Sequence, residues 1–179
     1  EIHIDRRVGD FVSHGSVLAR VRSREDAGDG VLEQVRSAFE VGHKEVAVDD
    51  LRFFVGQLVD IGVRALSPGT NDPRTAVVCV HRIGALLCQL APARFPDRRL
   101  FDDKGRLRVV PQSFDFEDVL REALDGIRYY GVGDVTVATT MLQALRDAWA
   151  VCPREDRRAA LATYADEVLA AFERESGHV

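Results

Sequence analysis

The sequence predicts a mainly α (α+β) fold: a bundle of about six helices with a small N-terminal β module and one β-hairpin. Three observations predict it. From Val31 onward apolar residues recur at spacings of three and four, the period of a helix with one buried face. Each such run is bounded by Asp, Gly or Pro, the residues that start and stop helices. Loose alternation of apolar and polar residues is confined to the first 22 residues and to a stretch near 99–110. The expected division is therefore a small β module over 1–22 and a helical domain over 23–179 that includes the hairpin.

In the β module, Val8, Phe11, Val12, Val17, Leu18, Ala19 and Val21 alternate with polar residues around Gly9-Asp10 and His14-Gly15, which suit tight turns. The pattern Val-Gly-Asp-Phe-Val-x-x-Gly-x-x-Leu is similar to half of a biotinyl-lipoyl barrel-sandwich. No lysine stands at its tip, so it offers no swinging-arm carrier. Asp29 is placed to cap a helix through Val31, Val35, Ala38 and Phe39, stopped by Gly42, and His43 to Val48 form a short link.

The next two helices dominate the chain. Leu51, Phe54, Val55, Leu58, Ile61, Gly62 and Ala65 form the face of the first, with Asp49 and Asp50 at its start. Ala76, Val80, Ile83, Leu87 and Leu90 form the face of the second, which Pro92 ends. Between them lies Ser67-Pro68-Gly69-Thr70-Asn71-Asp72-Pro73, where Pro68-Gly69 suits a type II turn and Asp72 suits a cap followed by proline at the first helical position. A connection this short returns the chain antiparallel to itself.

Asp103-Lys104-Gly105 separates two apolar runs and predicts a β-hairpin. Asp115 then caps a helix bearing Phe116, Leu120, Ala123, Leu124 and Ile127, with Phe114 and Val119 as a hydrophobic staple, and Gly131 ends it. Asp134 opens a helix expected to bury Val137, Met141, Leu145, Ala148 and Trp149. After Pro153 a last helix uses Leu161, Ala165, Val168 and Phe172.

Composition sets limits on function. A net charge of −5 with scattered Arg pairs gives no basic face for nucleic acid. Cys79, Cys88 and Cys152 lack metal or disulfide spacing and fit a reducing compartment. His81 and Cys88, seven apart, are too few ligands for a metal site, and no cofactor motif appears. Ser67 is not in a G-x-S-x-G elbow. No basic amphipathic helix suggests that this region binds lipid by itself. No run of about 18 apolar residues is present to span a bilayer. The chain begins at Glu1 inside a strand-like stretch, which reads as a piece of something longer.

Two polar groupings are candidates for function. Ser67, Thr70, Asn71, Asp72 and Thr75, with Arg64 and Arg74, can take a small molecule or anion, while the bland reading is that they satisfy two helix ends. Asp60 and Arg64, four apart, can form a buried ion pair or an exposed one at a subunit contact.

The run Gln57-Leu-Val-Asp-Ile-Gly-Val-Arg-Ala-Leu-Ser-Pro-Gly-Thr-Asn-Asp-Pro-Arg-Thr-Ala76 resembles the signature of domain of unknown function 2254, a family of predicted integral membrane proteins. Gly9-Asp-Phe-Val with Gly15, the Asp49-Asp50 start and the hairpin before Phe114-Asp115-Phe116 resemble that family's soluble C-terminal part. Arg74 departs from the apolar aromatic expected there. The resemblance implies transmembrane helices N-terminal to this region, a membrane protein with this domain on the cytoplasmic side, and no established activity. The expected role is non-catalytic, self-association or regulation of the membrane part. The alternatives are an enzymatic or binding site at the Ser67–Thr75 loop, or a structural part of a transporter or channel.

Overall fold

A computed structural model describes residues 1–7, 9–23, 28–42, 51–95, 99–112 and 115–177. The chain divides into two compact units, Glu1–Asp50 with Pro96–Phe114, and Leu51–Phe95 with Asp115–Val179.

Among the described residues, the first unit contains a four-stranded sheet and one helix. Strands β1 (Ile2–Ile4) and β2 (Ala19–Val21) pair antiparallel, with His3 opposite Arg20. Helix α1 spans Gly28–Ser37. Strands β3 (Leu100–Phe101) and β4 (Leu107–Val110) form the expected hairpin. Asp102 holds its turn by accepting from the amides of Lys104 and Arg106 at 3.0 and 2.9 Å, and Gly105 supplies the positive φ of +72°. Those bonds, the Arg106 amide foremost, draw the Asp102 carboxyl down to about 2.

The hairpin joins the N-terminal strands in one sheet. β1 runs parallel to β4, with Ile2 opposite Val109, so the sheet order is β2-β1-β4-β3. The first unit is therefore discontinuous in sequence. Its sheet is open, with β2 and β3 at the two edges, and is not a closed barrel. In α1, Asp29 lies inside the first turn instead of capping it, and none of the helix's residues is buried.

The second unit is a bundle of five helices: α2 (Leu51–Ala65), α3 (Pro73–Leu90), α4 (Phe116–Gly131), α5 (Val135–Val151) and α6 (Glu155–Ser176). α3 is central, packing most extensively on α5 and also on α2 and α4. Its buried residues Ala76, Cys79, Val80, Ile83, Gly84 and Leu87 follow the helical period, as the sequence pattern required. Glycines set how closely the helices approach. A Cβ on Gly84 would lie 2.7 Å from the Cβ of Ala144, and one on Gly62 would meet Ile127 Cδ1 at 3.0 Å. Asp115 caps α4 through a reciprocal capping box with Asp118, and Asp134 caps α5 by accepting from the amides of Thr136 and Val137.

Some faces differ from expectation. On α2 Val55, Gly62 and Ala65 are buried, but Phe54 and Ile61 are 56% and 48% exposed. Trp149 is half exposed at the end of α5, where the Arg158 guanidinium lies 4.6 Å from its ring centre. On α6 the buried line is Leu161, Tyr164, Val168 and Ala171, one position round from the Ala165 and Phe172 expected. The helix start at Asp49-Asp50, the 43–48 link, Val8 and the Phe114 half of the staple lie outside the described residues.

Candidate functional site

The connector between α2 and α3 is an ordered elbow whose backbone groups are largely paired. The amides of Thr70 and Asn71 both donate to the Ser67 carbonyl, at 3.0 and 2.9 Å, and the Asp72 amide donates back to Ala65 at 2.8 Å. Free carbonyls at the end of α2 are thereby satisfied. The Ser67 hydroxyl donates to the Arg64 carbonyl at 2.8 Å and lies 3.2 Å from the Thr70 hydroxyl. The left-handed residue is Asn71, at φ 45°, and not Gly69 of the expected type II turn. Asparagine tolerates that region better than most side chains, so Asn71 has a backbone reason to be there.

Asp72 caps α3 as its sequence position predicts. Its carboxylate accepts from the Thr75 amide at 3.2 Å and the Thr75 hydroxyl at 2.5 Å, and Pro73 follows at the first helical position. The Thr75 hydroxyl, then its amide, hold the Asp72 carboxyl below the usual range. Ser67, Thr70, Asp72 and Thr75 are thus brought together and hydrogen-bonded mostly to one another or to helix ends. Arg64, Asn71 and Arg74 are exposed. Asp60 and Arg64 are both exposed and form no ion pair among the described residues, so they are not a buried pair. Leaving α2 on its solvent side, both charges keep their hydration, which burial would have removed.

Two polar centres elsewhere in the bundle escaped the sequence reading. Arg157, 7% exposed, donates through Nη1 to the carbonyls of Leu90, Ala91 and Ala93 at 2.9, 2.8 and 2.7 Å. Its guanidinium also lies 4.7 Å from the Phe95 ring centre and 5.3 Å from that of Phe116. A cation from the start of α6 thus closes the C-terminus of α3, where the helix dipole favours positive charge. Burial, then neighbouring Arg154, lowers its pKa.

The second centre joins α4 to α6. The buried Tyr164 hydroxyl donates to Asp125 at 2.8 Å, Arg128 reaches the same carboxylate at 3.1 Å, and Arg121 bonds Glu167 at 3.1 Å. Beside it an open cleft of about 760 Å³ is lined by Asp125, Arg128, Tyr129, Tyr130, Arg174 and Glu175 among others. Its charges are balanced and already paired at Asp125 and Arg128, so the cleft gathers no excess of either sign. The only sequence signal for these groups is arginine at helical spacing, Arg121 and Arg128, facing a tyrosine on a later helix.

These features define a mainly helical chain with a small four-stranded sheet, in which most polar clusters fasten helices together. The chain belongs to the family of predicted membrane proteins known as DUF2254, whose model matches residues 1–147. It is 33% identical over 172 residues to uncharacterised proteins of Mycobacterium bovis and Mycobacterium tuberculosis, a match covering 94% of this chain. The chain spans 33% of the length of those relatives. No solved structure matches it significantly. Among the described residues no helix is long and apolar enough to cross a membrane.

Proposed function

We propose that this chain is the extramembrane, non-catalytic part of an integral membrane protein, attached on the cytoplasmic side to transmembrane helices elsewhere in the polypeptide. It acts by self-association that biases those helices. The observation that carries this reading is one of extent: a chain matching a third of its relatives' length, in a family described as membrane proteins, has no described helix fit to span a bilayer. Three free cysteines, with burial raising the thiol pKa of Cys79 and Cys88, accord with a reducing side of the membrane. Two helices meeting at one elbow can hold two relative arrangements, and a partner that prefers one of them shifts the population.

Light scattering of the chain across a wide concentration range tests the reading. A mass that rises to a defined oligomer supports it, and a monomer at every concentration overturns it. A second reading, a small-molecule or anion site at Ser67–Thr75, is favoured only by the exposure of Arg64, Asn71 and Arg74 around the elbow. Against it, the Asp72 carboxylate already takes the Thr75 amide that an anion would need.

A further inference from the structure

The charge of the helical unit is unevenly divided along the chain. Residues 51–95 carry five arginines against two aspartates, whereas residues 115–179 carry seven arginines against thirteen carboxylates. The arginines of the second group are largely engaged. Arg121, Arg128, Arg146 and Arg154 each bond a carboxylate, and Arg157 caps α3. In the first group Arg52 is held by Glu122. Arg64, Arg74 and Arg82 are exposed, and none is in an ion pair among the described residues. Arg74 lies only near enough to Asp72 to help lower its pKa, and that carboxylate is bonded to Thr75.

Their placement is regular. Arg74, Val78 and Arg82 are spaced by four and form one row along the outer side of α3, with Val78 51% exposed. Phe54, Ile61 and Arg64 recur at helical spacing along the outer side of α2, flanked by exposed Gln57. Asp60, four residues before Arg64, lies on the same exposed side about 40° from it and offsets part of its charge. The two helices pack directly, with Gly62 against Cys79. The hairpin therefore exposes large apolar side chains between arginines that form no ion pair among the described residues, on a protein whose net charge is −5.

We infer that the exposed face of the α2–α3 hairpin is a membrane-apposed surface: Arg64, Arg74 and Arg82 take the phosphates of anionic lipid headgroups, and Phe54, Ile61 and Val78 sit at headgroup depth. Guanidinium forks match phosphate oxygens, and basic residues interleaved with apolar ones are the composition of interfacial surfaces. Neither helix alone is basic enough to carry the signal; it takes the exposed rows of two helices that pack directly. The inference rests on the reading that the chain belongs to a membrane-embedded protein, for which a bilayer is always close. The competing occupant, the acidic half of a second copy, would pair the arginines and itself exposes Tyr129, Val135 and Trp149, so vesicle binding set against light scattering decides between the two.

The test is co-sedimentation of the chain with vesicles of phosphatidylcholine alone or phosphatidylcholine mixed with phosphatidylglycerol. The wild type is expected to bind the anionic vesicles only, more weakly as salt rises. The variant Arg64→Ala/Arg74→Ala/Arg82→Ala loses about 100-fold in partitioning, at roughly fivefold per arginine. Arg146→Ala/Arg154→Ala, which removes arginines of the acidic half, stays within about twofold of wild type. Thermal melts of each variant verify folding. Absence of binding, equal binding to neutral vesicles, or unchanged binding by the triple variant overturns the inference. So does arginine-dependent binding of inorganic phosphate without vesicle binding. A wild type that oligomerises in light scattering but ignores vesicles loses this inference alone.

Discussion

Replacing Arg157 by Met tests whether the buried guanidinium is what closes α3. The substitution keeps the length and apolar stem of the side chain but removes every donor. Three carbonyls then lose a donor: Ala91, reached by a buried bond at 2.8 Å, keeps only the weak Cys152 thiol at 3.5 Å, Leu90 keeps the Ala93 amide at 3.1 Å, and Ala93 is left to water, which has partial access there. A buried acceptor left with only a weak thiol donor costs about 1–3 kcal/mol, and the two that keep an amide or reach water cost less. Loss of the contacts with Phe95 and Phe116 adds about 0.5–1 kcal/mol each. Relief of the arginine's own desolvation offsets part of this. The expected net loss is about 3 kcal/mol, which for a chain of this size lowers Tm by about 6–12 °C. Urea unfolding followed by far-UV circular dichroism measures it. Arg157→Lys keeps a cation with three donors but not the planar stack, so it should recover about half. A Met variant within about 0.5 kcal/mol of wild type would refute the reasoning, because the three carbonyls would then not depend on Arg157.

The other predictions concern packing and ionisation. Gly84→Ala should destabilise by about 1–2 kcal/mol: the added Cβ meets Ala144 Cβ at 2.7 Å, and overpacking of this kind outweighs the gain of up to about 1 kcal/mol in helix propensity. A urea midpoint at or above wild type would show that the helices separate freely. Tyr164 has its phenol pKa raised by burial first and by the Asp125 hydrogen bond next. Its folded pKa exceeds its unfolded one, so its contribution is complete below pH about 10 and declines as pH rises further. Tyr164→Phe should therefore show a shallower alkaline loss of stability than wild type in urea midpoints taken across that range. Asp72→Ala should lower Tm more than Asp72→Asn, whose side-chain carbonyl still accepts from Thr75. Because the Asp72 carboxyl is depressed, its contribution is present above the unfolded value of 3.8 and lost as pH falls through the lower folded value. The gap between Ala and wild type should accordingly narrow in acid.

Local signals carried most of the helical architecture. Asp72-Pro73, Asp115 and Asp134 mark helix starts because a cap needs only the amides two or three residues on. The core line of α3 follows from periodicity alone, since that helix is covered on several sides. What stayed hidden depends on partners distant in sequence. The parallel pairing of β1 with β4 joins residues more than 100 apart, so the hairpin gave no local sign that it belongs with the N-terminal strands. α2 packs mainly on α3 and α4, which leaves Phe54 and Ile61 outside although they share its apolar period. Arg157 looks like any charge in Arg157-Arg158 until α6 brings it to the end of α3, 66 residues away from Ala91. In the elbow, the roles of Ser67 and Asp72 at helix ends were readable, while Asn71 taking the left-handed conformation in place of Gly69 was not.

On the function proposed above, the Ser67–Thr75 elbow is architecture and the outer surfaces of the bundle act. A thermal-shift screen of small molecules against wild type beside Asn71→Ala and Asp72→Ala tests this most directly. The variants are expected to melt at lower temperatures, and no compound is expected to stabilise wild type selectively. A compound that raises the wild-type Tm and leaves both variants unmoved would contradict that proposal.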